Sequence, residues 1–404
     1  MMLAAVAQSI PLAHSGAPAR RLRILHVVPT YYPAVRYGGP IRTVHGLATS
    51  QARQGHDVHV YTTTVDGPDD LKVPTDRPVA LDEVAVHYFP VPALRRLYWA
   101  PALARRLRSQ IRDFDVVHLH SVFLWPIWVA ARTAERAGVP YIMAPHGMLG
   151  REVIRRKSRW LKRAWIRTIE RRSLARAAAI HVTARVEAEE LRALGLDFRK
   201  LGLIPCGVDW PVSHAPLTDG PFASLPARYA LFLSRVNWKK GLDRLLQAWV
   251  HVHDVPLVIA GNDEEGYQPQ LEALARKLGI AHRVLFVGPV RNEHKWALFE
   301  HAELFLLPSY SENFGIVVAE AMAMGCPVVV TPEVGAGELV ARADAGVISS
   351  NEPAHLARVV RDLLADRATR HRLGENGRVF AREQLSWDSV ATRIQRLYFG
   401  VIRS

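Results

Sequence analysis

The chain has 404 residues, 49% of them hydrophobic and 8% aromatic, a globular composition too long for one ordinary core, so two domains are expected. Its two cysteines, Cys206 and Cys326, stand far apart and suit reduced thiols in a cytosolic protein, not a disulfide scaffold. The net charge of +14 is local: residues 93–112 carry six arginines and no acid, residues 151–172 carry ten basic residues against Glu152 and Glu170, and together they make up the whole excess.

Residues 1–20 are Ala-rich and weakly apolar but lack a basic start, and they read as a disordered leader rather than a signal peptide. No apolar run approaches the ~20 residues that span a bilayer. Apolar, β-rich runs follow at 23–29 (RILHVVP), 58–62, 84–89, 116–120, 139–144, 179–183 and 201–205, separated by helical spacing such as 41–54 and 125–137. Apolar strands alternating with helices predict a parallel sheet covered on both faces, and a first domain over 21–206. Residues 207–228 hold Pro211, Pro216, Pro221, Pro226 and Gly220, and are read as a linker. The alternation restarts with strands at 229–234, 257–260, 284–287, 304–308 and 328–331 and helices at 242–251, 268–278, 293–300 and 315–324. Two further helices complete a second domain over 229–385. Residues 386–404 form an amphipathic helix with Trp387, Val390, Ile394 and Leu397 on one stripe, expected to cross back to the first domain. The fold class is therefore α/β: two Rossmann-like domains with parallel sheets facing a central cleft, the default ligand site.

In such sheets ligands sit beyond the carboxyl ends of the strands. After the first strand, Gly38 and Gly39 open a helix whose free N–H groups suit an anion, although a tight turn explains them equally well. No G-x-G-x-x-G fingerprint is present, and GAGELV (335–340) lacks its third glycine, which weighs against a nicotinamide dinucleotide. His146, in APHGM, stands at a strand end. His118 and His120, in VVHLHS, are expected to point to opposite faces of their strand; with no cysteine or carboxylate to complete a ligand spacing, no metal is expected. Asp113 and Asp115 precede their strand, at its wrong end for a ligand. In LSRVNWKKG, Arg235, Lys239 and Lys240 cluster before a helix, as a diphosphate requires, though each alone reads as a solvated turn residue. In SENFGIVVAEAMAMG, Glu312 lies in a polar turn, but Glu320 interrupts an apolar helix, where a carboxylate is costly to bury without hydrogen bonds.

Taken together, SRVNWKKG, LVIAGND, VLFVGPV, LFLLPSYSENFGIVVAEAMAMGCPVV and the 335–339 loop resemble the retaining GT-B glycosyltransferases of family 4, the group 1 type that builds bacterial polysaccharides, lipopolysaccharides and glycolipids. In the first half Gly38-Gly39 and HGM match acceptor-side motifs. The resemblance implies a hexosyltransferase that moves a sugar from a UDP- or GDP-sugar to a glycan or lipid-linked acceptor, with no cofactor and no metal. It implies that Arg235 and Lys240 neutralise the donor diphosphate and Glu312 contacts sugar hydroxyls. Asn313, Phe314 and Gly315 would approach sugar and phosphate through their N–H groups. Glu320 would bind the ribose, His146 would lie near the transferred sugar, Gly39 near phosphate and acceptor, and Glu338 would touch the nucleotide or orient its helix. On this reading Glu312 and Glu320 are binding groups, each desolvated only when its ligand arrives, and not the carboxylate pair of a hydrolase. Two departures stand out: IPCGVD carries Cys206 where Asn is usual, and Glu303 replaces a frequent Asp.

The segment 151–172 interleaves Trp160, Leu161, Trp165, Ile166 and Ile169 with basic residues, which suits docking on an anionic leaflet. A core-packing helix with a solvated basic face is the plainer alternative. With 93–112 it makes the protein an expected peripheral one at the cytoplasmic face of the inner membrane. Other GT-B chemistry, a nucleotide-sugar epimerase or a phosphorylase, competes with the transferase reading. Nucleic-acid binding, suggested by a pI near 10.1, fits less well because the charge sits in two helices and no reading motif accompanies it.

Overall fold

The computed structural model describes residues 20–34, 39–150, 154, 159–196, 198–211, 216–217, 222–290 and 292–402. Residues 1–19, most of the leader, and Gly38 lie outside these, as does much of the segment read as a linker. The chain divides into two units, Met1–Gly207 with Trp387–Ser404, and Val208–Ser386.

The strands of the first unit are β1 (Arg23–Val27), β2 (Asp57–Thr63), β3 (Val65–Asp66), β4 (Asp69–Asp70), β5 (Val79–Leu81), β6 (Val84–Phe89), β7 (Val116–His120), β8 (Tyr141–Ala144), β9 (Ala179–Val182) and β10 (Leu201–Leu203). Eight of them form one sheet in the order β10-β9-β8-β7-β1-β2-β6-β5. Its pairings are parallel except that of β5 with β6, and β3 and β4 form a separate antiparallel pair. Fully buried strands such as β7 and β8 explain the near-continuous apolar runs, since helices cover both faces. One face packs Leu25, Val117, Leu119 and Met143 against helices Pro101–Gln110 and Trp125–Ala137. The other packs Ile24, Val60, Val116 and Ile142 against helices Gly39–Arg53 and Trp387–Ile402. The last helix contributes Val390, Ile394, Leu397 and Tyr398 to that core. A Cβ on Gly46 or Gly207 would strike the Trp387 ring at 2.2 or 2.3 Å, so both glycines make room for it.

The second unit has β11 (Tyr229–Leu233), β12 (Leu257–Ala260), β13 (Val284–Gly288), β14 (Ala302–Leu307), β15 (Val328–Val330) and β16 (Gly346–Ile348) in one parallel sheet, order β13-β12-β11-β14-β15-β16. Strand order reverses between β11 and β14 here, and between β1 and β7 in the first unit. These switch points are where an open α/β sheet offers a ligand crevice.

Candidate functional site

Beyond β11 the chain makes a tight approach to the end of β14. Gly241 has φ 67°, and a Cβ there would lie 1.9 Å from the Pro308 carbonyl oxygen, so only glycine fits. Asn237 caps the short turn Trp238–Lys240 by accepting the Lys239 N–H at 3.1 Å, and the Tyr310 N–H donates to the Lys239 carbonyl at 2.7 Å. This brings the buried Lys240 ammonium onto the Glu312 carboxylate in an ion pair. Arg235 stays exposed, 3.7 Å from Glu264.

The loop carrying Glu312 is stitched to its neighbour. The Glu312 N–H donates to the Glu333 carbonyl at 3.0 Å, Gly335 to the Glu312 carbonyl at 3.0 Å, and Ala336 to the Phe314 carbonyl at 2.7 Å. Asn313 and the buried Phe314 and Gly315 (φ 85°) thus lead into helix Ile316–Ala323 beside the loop that begins helix Gly337–Ala343. Glu338, partly exposed, falls in the first turn of that second helix. Arg235, Lys240, Glu312–Gly315 and Glu338 accordingly follow β11, β14 and β15 at their carboxyl ends.

Glu320 corrects one expectation. It does not wait for a ligand to be desolvated: it is 5% exposed and bonded by the Lys295 ammonium at 2.6 Å. Glu312, too, is already paired. Sequence reasoning missed Lys295, because NEHKWALFEH gave only a helix at 293–300, with nothing to mark its lysine as buried. In the structure five successive residues, Lys295 to Phe299, are buried, so the helix Asn292–His301 is enclosed and its lysine points inward. The ammonium also lies over the Trp296 ring at 4.1 Å.

In the first unit His146 follows β8 with φ 52°, a left-handed backbone held in place by the next residue. The Gly147 N–H donates at 2.6 Å to the buried Glu187, whose other oxygen accepts from the Thr183 N–H at 3.0 Å. The His146 ring meets His120, Nε2 to Nδ1 at 3.1 Å, and His120 meets His26 on β1 at 2.9 Å. The expectation of opposite faces for His118 and His120 is wrong: residues two apart on a strand share a face, and their ring centroids are 4.3 Å apart. Gly39 begins helix Gly39–Arg53 with open space where a Cβ would stand. Asp115 spends its carboxylate on Arg20 and on the Arg23 N–H, both at 2.8 Å, at the start of the sheet.

Burial lowers every imidazole of this group. His26 and His181 fall to about 4 and His146 to about 3, while His118 and His120 fall well below the usual value, with neighbouring imidazoles adding to the effect. Ring nitrogens of His26, His118 and His120 lie within 4.8 Å of one another, a donor set of the kind zinc takes. Both nitrogens of His26 and of His120 are engaged in hydrogen bonds, however, and among the described residues no carboxylate joins the group to offset a dication.

Two family profiles match the chain: Glycosyl transferase 4-like domain over residues 38–207 and Glycosyl transferases group 1 over residues 223–380. The chain belongs to the group 1 glycosyltransferases. The D-inositol 3-phosphate glycosyltransferase of Xylanimonas cellulosilytica is 28% identical over 93% of this chain and 94% of that one. The solved sucrose-phosphate synthase of Thermosynechococcus elongatus superposes with a TM-score of 0.73 at 21% identity, over 95% of this chain and 100% of that one. HepE of Anabaena, solved in complex with UDP-glucose, superposes at 0.71 with 20% identity over 94% and 100%. These structures identify the fold of this group 1 glycosyltransferase as GT-B.

Proposed function

We propose that this glycosyltransferase moves a hexose, with retention, from a nucleoside-diphosphate sugar (UDP- or GDP-linked) to a glycan or lipid-linked acceptor in bacterial surface polysaccharide or glycolipid synthesis. The observation that carries the donor half is the Lys240–Glu312 pair at the β11–β14 switch point. Glycosyl transfer leaves growing negative charge on the diphosphate as an oxocarbenium-like centre forms, and fixed cations at that position lower the barrier. Lys240 exchanges its carboxylate for phosphate oxygens, and Glu312 is then released to accept sugar hydroxyls. Arg235, exposed and able to swing, supplies the second cation. The UDP-glucose held by HepE supports a donor of this class.

The acceptor half rests on the first unit's surface. The two basic segments also expose large apolar side chains: Leu94 and Leu97 in one, Trp160 and Leu161, at 70% and 73% exposure, in the other. Apolar side chains among arginines and lysines suit the headgroup layer of an anionic membrane, where a lipid-linked acceptor resides. No helix among the described residues is long and apolar enough to cross a membrane.

Thermal shift with UDP, GDP and ADP, followed by a panel of their sugars scored for hydrolysis, tests the donor assignment. Stabilisation by one nucleotide and not by oligonucleotides is expected; no response to any nucleotide overturns it. Flotation with anionic and neutral vesicles tests the surface, and equal binding to both removes it.

A further inference from the structure

The hydrogen-bonded row that begins at His146 ends on a side-chain amide, whose orientation sets the polarity of the row. His146 Nε2 meets His120 Nδ1 at 3.1 Å, His120 Nε2 meets His26 Nδ1 at 2.9 Å, and His26 Nε2 meets the Gln51 amide oxygen at 2.8 Å. The Gln51 amide nitrogen in turn donates to the Tyr398 hydroxyl at 3.3 Å, which lies 2.8 Å from His118 Nδ1. His26, Gln51 and His120 are buried, and Tyr398 is fully enclosed.

A carbonyl oxygen only accepts, and a neutral imidazole carries one N–H and one lone pair. Gln51 therefore requires the proton of His26 on Nε2, which leaves His26 Nδ1 as an acceptor. His120 must then donate from Nε2 and accept at Nδ1, so His146 donates from Nε2. Its Nδ1 is left as a lone pair, and Nδ1 makes no hydrogen bond among the described residues. All three imidazoles are neutral near pH 7, because burial holds each well below its usual value. Reversing the amide would reverse every proton in the row, so the row has two self-consistent settings and no mixed one. The Tyr398 hydroxyl, which both donates and accepts, fits either setting, and the amide as placed selects the first.

We infer that Gln51, His26 and His120 are positioning residues that hold His146 in its Nε2–H tautomer, so that Nδ1 accepts a hydrogen bond from a hydroxyl of the bound sugar. The sugar half of this inference rests on the transferase reading above; the tautomer does not. His26 sits on β1 and His120 on β7, at the strand-order reversal, so the row connects the unit's core to its crevice end.

The test is a two-bond proton–nitrogen correlation spectrum of the full chain labelled with 15N in its histidine rings, with His146 assigned by its loss in His146→Gln. The expected pattern is a protonated Nε2 and a pyridine-like Nδ1 for His146. Gln51→Glu, an acceptor only, keeps that pattern. Gln51→Met, which removes the acceptor that holds the His26 proton on Nε2, converts His146 to a mixture. In steady-state assays Gln51→Met lowers kcat at least tenfold, and Gln51→Glu restores most of it. A protonated Nδ1 in the unsubstituted protein, or a tautomer unmoved by Gln51→Met, overturns the inference. The expected tautomer in a protein that binds no nucleotide sugar would sink the transferase reading alone.

Discussion

Acid should unfold the first unit long before the second. His26, His118, His120 and His181 are all buried, and burial lowers each below its ordinary range, to about 4 for His26 and His181 and well below the usual value for the other two. In the unfolded chain each titrates near about 6.5. Between pH 7.5 and 5.5 the unfolded state therefore takes up protons that the folded state refuses, and stability is lost as pH falls. Each histidine contributes about 1 kcal/mol or slightly more over that window, so the four together remove roughly 5 kcal/mol. A domain has about 5–15 kcal/mol in all, so the loss is a large fraction of it. The chain contains its own reporters, since its two cysteines are both buried, Cys206 in the first unit and Cys326 in the second. Urea titrations at pH 7.5, 6.5 and 5.5, each followed by a pulse of a pyridyl disulfide that reacts at acid pH, read the two exposures separately. The Cys206 midpoint should fall steeply with pH and that of Cys326 much less. A Cys206 midpoint that stays level, or rises as pH falls, refutes the assignment of these imidazoles as buried and neutral.

The Lys295–Glu320 pair, 2.6 Å long and almost wholly buried, should cost about 3–5 kcal/mol when Lys295→Met strands the carboxylate. Adding Glu320→Met should recover most of that loss, and the midpoint of Cys326 exposure measures both. Gly241→Ala places a methyl on the Pro308 carbonyl and demands a left-handed alanine, so at least about 2 kcal/mol should vanish from the same transition. Arg370 donates to the Leu363 and Leu364 carbonyls at 2.7 and 2.6 Å and to Glu303 at 2.7 Å. Arg370→Met should lower stability by about 2–4 kcal/mol in calorimetry, whereas Arg228→Met, removing the exposed partner of Glu303, should cost less than about 1 kcal/mol.

Many of the strands were readable because parallel strands buried on both faces leave unmistakable apolar runs: RILHVVP, VVHLH and LFLLP each contain one. Edge elements were not. The β5 and β16 strands, VAL and GVI, are three residues each and partly exposed, too short a run to announce a strand. At the donor end, the residues after β11 and β14 were legible because strand-end loops are short and their chemistry is local. The partners of the site residues were not legible, since Lys295 reaches Glu320 from another helix and, in the first unit, Glu187 reaches Gly147 from 40 residues away. The histidine row was misread through the parity of a strand. The amide that ends the row, Gln51, looks like any polar residue on an amphipathic helix.

The placement of the last helix has a consequence for how the protein is made. Tyr398 completes polar contacts of Gln51 and His118 from 347 and 280 residues further along the chain, and Trp387 fills a space left by Gly46 and Gly207. A chain leaving the ribosome in order exposes all of β1 to β10 before either residue exists. The second unit, continuous from Val208 to Ser386, has every strand of its sheet in hand first. At about 5–20 residues per second of synthesis, the nascent first unit spends on the order of ten seconds or more with one face of its sheet covered by helix Gly39–Arg53 alone. During that interval the apolar side chains and imidazoles that the last helix would cover are the surface that a chaperone would meet.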